Sequence, residues 1–395
     1  MSPVTVAVQR TLARGRWLRN GLRWAWKALY KQVRSVWRAA KRGCEAIVNR
    51  VVNALKDWFR AVRRPVRAAS RRKAHLQERW GFYRTEWSVE REVERLVSRD
   101  RLLVAGPWFS EVGFETLYWV PFLHWLKTAF HVDPSRVVAV SRGGVESWYQ
   151  GVAGRYVEIW DDMDPAEFAR RNAARGVAKQ YERSELDEEI LKSVARRIGT
   201  SDFDVIHPGL MYKLFTLYWS GQRAMGFVDA HMRFARVTPP QVIDPALLPR
   251  DYVAVKLYAA RSLPDTPAIR ARLRATVAQL AEQSPVVLLD TGLVLDDDHA
   301  DYSFAPEGRV MSARSLMTPR NNLGVQTQIV AGAKRFVGTC GSIAWLAPRL
   351  GVDTSALFVD PKWLHAHLAV AMRGYHRLGA GRFSVADLRA VDPTL

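Results

Sequence analysis

Two carboxylates open the chemistry of this chain. Glu111 and Glu115 lie in or beside Gly106-Pro107-Trp108-Phe109-Ser110-Glu111-Val112-Gly113-Phe114-Glu115, which follows the apolar run Leu102-Leu103-Val104-Ala105. Either could act as a general base if burial lifts its pKa toward neutrality. Glu115 could instead serve the first turn of the helix that follows. Trp108, in the same loop, and His207, at the end of Asp204-Val205-Ile206-His207, are candidates for contacts to a ligand in a cleft. For His207 a hydrogen-bonded structural role competes with substrate contact or proton transfer. Far along the chain, Phe336-Val337-Gly338-Thr339-Cys340-Gly341-Ser342-Ile343 reads as strand, small-residue turn and helix. Such a turn leaves backbone N–H groups pointing outward, where the helix dipole favours a phosphate. Gly338 and Gly341 allow close backbone approach, and Thr339 and Ser342 add hydroxyl donors. The same residues also make an ordinary tight turn, so the surroundings must decide. Lys256 and Arg261, at the end of another apolar run, put two cations on the same edge and favour phosphate.

The elements that would position these groups read as a repeated strand–loop–helix series. Apolar runs at 101–105, 136–140, 154–159 and 204–206 predict buried strands in the first half. Residues 164–197, rich in charge, predict a solvated helix, with Asp161, Asp162 and Asp164 as a cap rather than a metal site. Tyr212, Phe215 and Trp219 recur at helical spacing and predict core. Thr238-Pro239-Pro240 to Pro249 marks a linker. A second series follows, with strands at 252–258, 286–290, 309–311, 336–337 and 355–359 and helices at 265–283, 322–334 and 363–378. Asp296, Asp297, Asp298 and His299 predict an exposed loop, because their spacing suits no particular metal. The fold class is therefore α/β: two Rossmann-like domains facing across a cleft, over residues 81–240 and 241–395, with ligand loops at the carboxyl strand ends.

The charge of +20 belongs elsewhere. Of 59 Lys/Arg and 39 Asp/Glu, 21 and three fall in residues 1–80, leaving 38 and 36 in the remainder. Apolar residues recur at steps of three or four from Leu18 to Val62, with Trp26, Trp37, Ile47 and Trp58 among them, and oppose a Lys/Arg face. That pattern predicts a basic amphipathic helical arm, and its Trp stripe favours an anionic membrane surface contacted through residues 10–73. Packing on the body, binding nucleic acid or serving as a transit peptide are the competing readings. Phosphate contacts explain the Trp spacing poorly, so no nucleic acid is expected. No apolar run approaches the roughly 20 residues of a membrane span, and charges interrupt every candidate signal-peptide core. Cys44 and Cys340 form no metal or disulfide pattern and point to a reducing compartment.

Over residues 100–380 the chain resembles GT-B glycosyltransferases, and more narrowly a group from bacterial surface-polysaccharide (capsule or lipopolysaccharide) loci. The resemblance rests on Gly106, Pro107, Trp108, Glu111, Gly113, Phe114 and Glu115 early. Late in the chain it rests on Asn321, Asn322, Leu323, Gln326, Phe336 to Thr339, Gly341, Ser342 and Leu346 to Pro348. Cys340 departs from it, standing where an aromatic residue is expected. The resemblance implies an acceptor domain first and a nucleotide-sugar domain second. The late block, with Gln326, would hold the donor's phosphates, a carboxylate of the first domain would deprotonate the acceptor hydroxyl, and Lys256 would neutralise the leaving nucleotide. Such a protein needs no metal or other cofactor. Glu111 as base implies inversion. With the arm, this gives a cytoplasmic enzyme, peripheral on the inner face of the cell membrane, acting on a glycan or lipid-linked acceptor. A nucleotide-binding scaffold without catalysis is the alternative.

Overall fold

The computed structural model describes residues 25, 27–32, 56, 58, 81–176, 179–293, 300–379 and 381–390. The chain divides into two units, Met1–Gly81 and Phe82–Leu395. In the first, residues 27–32 are helical and exposed. The rest of the expected arm and the Asp296–His299 loop fall almost wholly outside the described residues. Among the described residues no helix is long and apolar enough to cross a membrane.

Among the described residues, the second unit holds ten strands in two parallel sheets. β1 (Leu102–Ala105), β2 (Val137–Ser141), β3 (Arg155–Glu158) and β4 (Phe203–Ile206) form a sheet in the order β3-β2-β1-β4. β5 (Val253–Lys256), β6 (Val286–Leu288), β7 (Val310–Ser312), β8 (Arg335–Thr339), β9 (Thr354–Phe358) and β10 (Phe383–Asp387) form the second, in the order β10-β9-β8-β5-β6-β7. Counted from β5, that is the 3-2-1-4-5-6 order of a dinucleotide-binding sheet, whose order reverses between β5 and β8. The strands form because Val137-Val138-Ala139-Val140 and their like are apolar on both faces, as sheets covered by helices on both sides require. The expectation of two Rossmann-like sheets holds.

Three departures matter for the site. Residues 164–197 are two helices, Pro165–Ala174 and Glu185–Ile198, parted where Gly176 takes φ +64°. Asp164 does cap the first, accepting from the N–H groups of Ala166 and Glu167. Gly338 and Thr339 belong to strand β8 rather than to the turn after it, and the helix beyond runs only over Ile343–Leu346 before tightening into a 3-10 turn. β10 was not expected at all.

The two sheets are joined more closely than a linker implies. One hydrophobic core contains Trp119, Phe122 and Phe215 of the first half together with Val325, Phe336 and Trp345 of the second. The other face of each sheet has its own cluster, around Phe168 and around Leu273. Polar contacts reinforce the junction. Gly143 O accepts from the N–H groups of Leu323 (3.0 Å) and Gly324 (2.9 Å), which satisfies the first turn of helix Asn322–Ala331. Glu158 holds that loop in place by accepting from the N–H groups of Gly143 and Gly144. Arg349, fully buried, donates to Ala235 O (2.9 Å) and Thr116 O (3.0 Å) across the junction. The helix over residues 82–97 is pinned to the body by Glu86–Arg223 and by Glu90 against His231.

Candidate functional site

The carboxyl ends of both sheets open on one cleft of about 870 Å³. From the first half, the loop after β1 supplies Glu111 to Phe114, and the segment between the two charged helices supplies Lys179 and Tyr181. From the second, β5 runs on into Lys256, Tyr258 and Arg261, helix Asn322–Ala331 contributes Asn322 and Gln326, and the turn after β8 contributes Cys340, Gly341 and Ser342. The cleft thus sits at the strand-order reversal of the second sheet, where an open α/β sheet binds ligands.

Glu111 is half-buried at the mouth of its helix, where its carbonyl accepts from the N–H groups of Phe114 (3.1 Å) and Glu115 (3.2 Å). Its carboxylate reaches across electrostatically. Burial first, then the neighbouring Cys340 and the Glu111 charge, hold the Tyr258 phenol well above its usual pKa. The two halves touch at this point. A Cβ on Gly113 would meet Ser342 N at 2.9 Å and Trp345 Cδ1 at 3.3 Å, so only glycine fits there without displacement. Gly341 takes φ +141°, and a Cβ on it would meet the Tyr258 hydroxyl at 2.5 Å. Ser342 holds φ +42°, ψ −121°, a strained conformation for a residue with a side chain. Burial pushes the Cys340 thiol up to about 12, so it stays protonated and inert.

The cations differ in how their charge is engaged. Lys256 pairs with Asp301 at 2.7 Å and donates to Leu289 O at 2.9 Å. Arg261 lies over the Trp363 ring at 5.3 Å. Lys179 stands 4.8 Å from the rings of both Phe114 and Trp219 and makes no ion pair with a described carboxylate. Gln326 is buried, and its Oε1 has no hydrogen-bond partner among the described residues. His367 closes the floor, its Nδ1 2.7 Å from the Tyr118 hydroxyl. Burial first, then the Lys179 charge, lowers its pKa to about 4 and keeps the ring neutral.

Six residues singled out in the sequence therefore line one cleft: Glu111, Lys256, Arg261, Gln326, Gly341 and Ser342. Five lie outside its wall. Glu115 is fully buried and points into the first half, accepting from Ser141 Oγ (2.6 Å) and the Tyr149 hydroxyl (2.5 Å). Trp108 is fully buried between Trp119 and Tyr212, with which it stacks. His207 caps helix Pro208–Trp219, its Nδ1 accepting from Gly209 N (3.0 Å) and its Nε2 facing Asp187 (3.1 Å). The Thr339 hydroxyl accepts from the Tyr258 N–H (2.9 Å) and donates to the Tyr258 carbonyl (2.9 Å), so it is spent within the strand layer. Gly338 lies within β8, where a Cβ would strike Lys256 O at 2.5 Å. Sequence reasoning passed over Lys179, Tyr181, Tyr258, Asp301 and His367. Tyr258 was reachable, being two residues past the end of a strand; the others carry no local signal.

No family model matches the chain, and no curated protein matches it. Among solved structures it is similar to a glycosyl transferase family 9 protein from Veillonella parvula DSM 2008, at 12% identity and TM-score 0.37, covering 68% of this chain and 82% of that one. It is similar also to the ADP-heptose lps heptosyltransferase II of E. coli, at 11% identity and TM-score 0.38, covering 67% and 87%. A third is MnaA of S. aureus in complex with UDP, at 8% identity and TM-score 0.29, covering 75% and 95%. Likeness of this extent carries no argument about activity, which has to come from the cleft.

Proposed function

We propose that this protein is a GT-B-type glycosyltransferase, moving a sugar from a nucleotide-activated donor to a hydroxyl of a glycan or lipid-linked acceptor. The observation that carries this reading is the convergence of two sets of carboxyl strand ends on one cleft, with Glu111 entering from one sheet and the Gly341–Ser342 turn from the other. Sugar transfer needs just such an opposition. The acceptor oxygen attacks the anomeric carbon, its proton passes to Glu111, and the bond to the donor phosphate breaks with inversion. The departing diphosphate gains charge, which Arg261, Lys256 and the backbone donors of the turn can stabilise without a metal. Gln326, whose Oε1 has no partner among the described residues, suits the donor's hydroxyl or amino groups.

The basic arm, in this reading, holds the enzyme on the inner face of the cell membrane, where a lipid-linked acceptor would be presented. Flotation with anionic liposomes tests that part: the full chain should float, and a chain lacking residues 1–80 should not.

The donor site is tested by thermal shift with GDP, UDP, CMP and ADP, followed by turnover of the matching nucleotide-sugar. One nucleotide should raise the melting temperature by several degrees, and turnover should survive EDTA. No shift with any of the four would overturn the reading. A binding-only protein is favoured by one observation, the pairing of Lys256 with Asp301 at 2.7 Å, which takes up part of the charge that a leaving diphosphate would need. A nucleotide-induced shift without turnover of any matching nucleotide-sugar would select it.

A further inference from the structure

The cleft does not end at its own wall. A second cavity of about 700 Å³ lies beside it, with a wall of mixed charge (Arg95, Arg183, Lys192 and Lys213 against Glu92, Glu182, Glu188 and Asp204), and Tyr181 belongs to both. The segment that carries Tyr181 is held from beneath. Gln180, fully buried, accepts from Phe109 N (3.0 Å) and donates to Pro107 O (2.9 Å), while Asp187, also buried, faces both Gln180 and His207. A Cβ on Gly209 would meet Tyr181 O at 2.4 Å, so the helix start packs directly under this segment. With Gln180 fixed, Lys179 is carried into the cleft on one side and Tyr181 onto the ridge between the cavities on the other. Lys179 has aromatic rings beneath it and no described carboxylate beside it, unlike Lys256. A cation so placed attracts an anion from the ligand, more strongly because the site is partly shielded from water.

We propose that Lys179 and Tyr181 form a subsite for an acidic, chain-like saccharide acceptor. Lys179 meets an anionic group near the reacting end, and Tyr181 stacks the sugar that crosses into the outer cavity. This rests on the reading of the cleft as a sugar-transfer site and adds the class of acceptor to it.

Isothermal titration of the full chain with tetragalacturonate, galacturonic acid and maltotetraose tests it. Tetragalacturonate should bind at least tenfold more tightly than the neutral tetramer and at least tenfold more tightly than the acidic monomer. Lys179→Gln should abolish the first preference and Lys179→Arg should keep most of it. Tyr181→Ala should abolish the second, and unchanged melting curves would exclude misfolding. Equal binding of acidic and neutral tetramers, no binding of either, or full discrimination in Lys179→Gln overturns the proposal. The nucleotide-dependent shift is read separately in the same samples. Its presence without saccharide discrimination sinks only the acceptor subsite, and its absence sinks the donor reading.

Discussion

Glu111 and Glu115 are the same residue type, four apart in one loop, and the fold gives them opposite environments. Glu115 turns inward, where Ser141 and Tyr149 donate to it; Glu111 stays at the cleft. Their substitutions should therefore fail differently. Glu111→Gln should lower turnover by about 10²–10⁴, the usual contribution of a general base, and leave the nucleotide-induced melting shift intact. Near-normal turnover would remove Glu111 from the mechanism. Glu115→Ala instead strands two buried hydroxyls at roughly 1–3 kcal/mol each, so it should appear as a lower urea midpoint. His367 predicts a pH effect. Its folded pKa is lowered from 6.5 to about 4, so between those values the unfolded chain binds a proton that the folded one refuses. Stability must then fall as pH drops through that window, by on the order of 3 kcal/mol from this group. Urea titrations at pH 7 and pH 4.5 should give a smaller difference in His367→Gln than in the parent.

At the scale of elements, the strands were legible and the joints were not. β1, β2, β5 and β8 are apolar runs buried on both faces, a signal that survives without context. β10 escaped because it is an edge strand with exposed residues, Phe383-Ser384-Val385-Ala386-Asp387, and no continuous apolar run. The break at Gly176 was hidden by charge on both sides of it, which cost the sequence reading Lys179 and Tyr181. The loop Ser141–Gly144 could be seen to lie at a carboxyl edge. That its carbonyl would satisfy a helix some 180 residues on could not, because such pairing is decided by tertiary packing. The junction of Gly113 with Ser342 is of the same kind and can be tested. Gly113→Ala places a methyl group 2.9 Å from Ser342 N, where backbone rather than a flexible side chain must yield. Overpacking of that sort costs about 1–3 kcal/mol. Because it pushes the Glu111 loop off the Gly341–Ser342 turn, it should also weaken nucleotide binding, which a control such as Gly226→Ala, facing open space, should leave alone.

For the whole molecule, the question is whether two sheets make two folding units. A pair of Rossmann-like domains joined by a proline-rich linker is expected to hinge and to unfold in separate steps. Here a single core contains aromatic and aliphatic side chains from both halves, and Phe82–Leu395 is one compact unit. An interface that is large and apolar opposes hinge motion. Arg349 makes the point sharply: burial lowers its pKa to about 10, and its described hydrogen-bond partners are carbonyls of the first half, Ala235 and Thr116. A charge kept there without a described carboxylate persists only if the two halves close over it together. Urea unfolding followed by tryptophan fluorescence and by far-ultraviolet circular dichroism should consequently give coincident, single transitions for residues 82–395. Arg349→Ala would leave both carbonyls unsatisfied and open a void, so it should move the midpoint down without splitting the curve. Two resolved transitions in the parent chain would mean that the halves fold independently. The cleft between them would then be free to open and close, and its dimensions would no longer bear on which ligands fit.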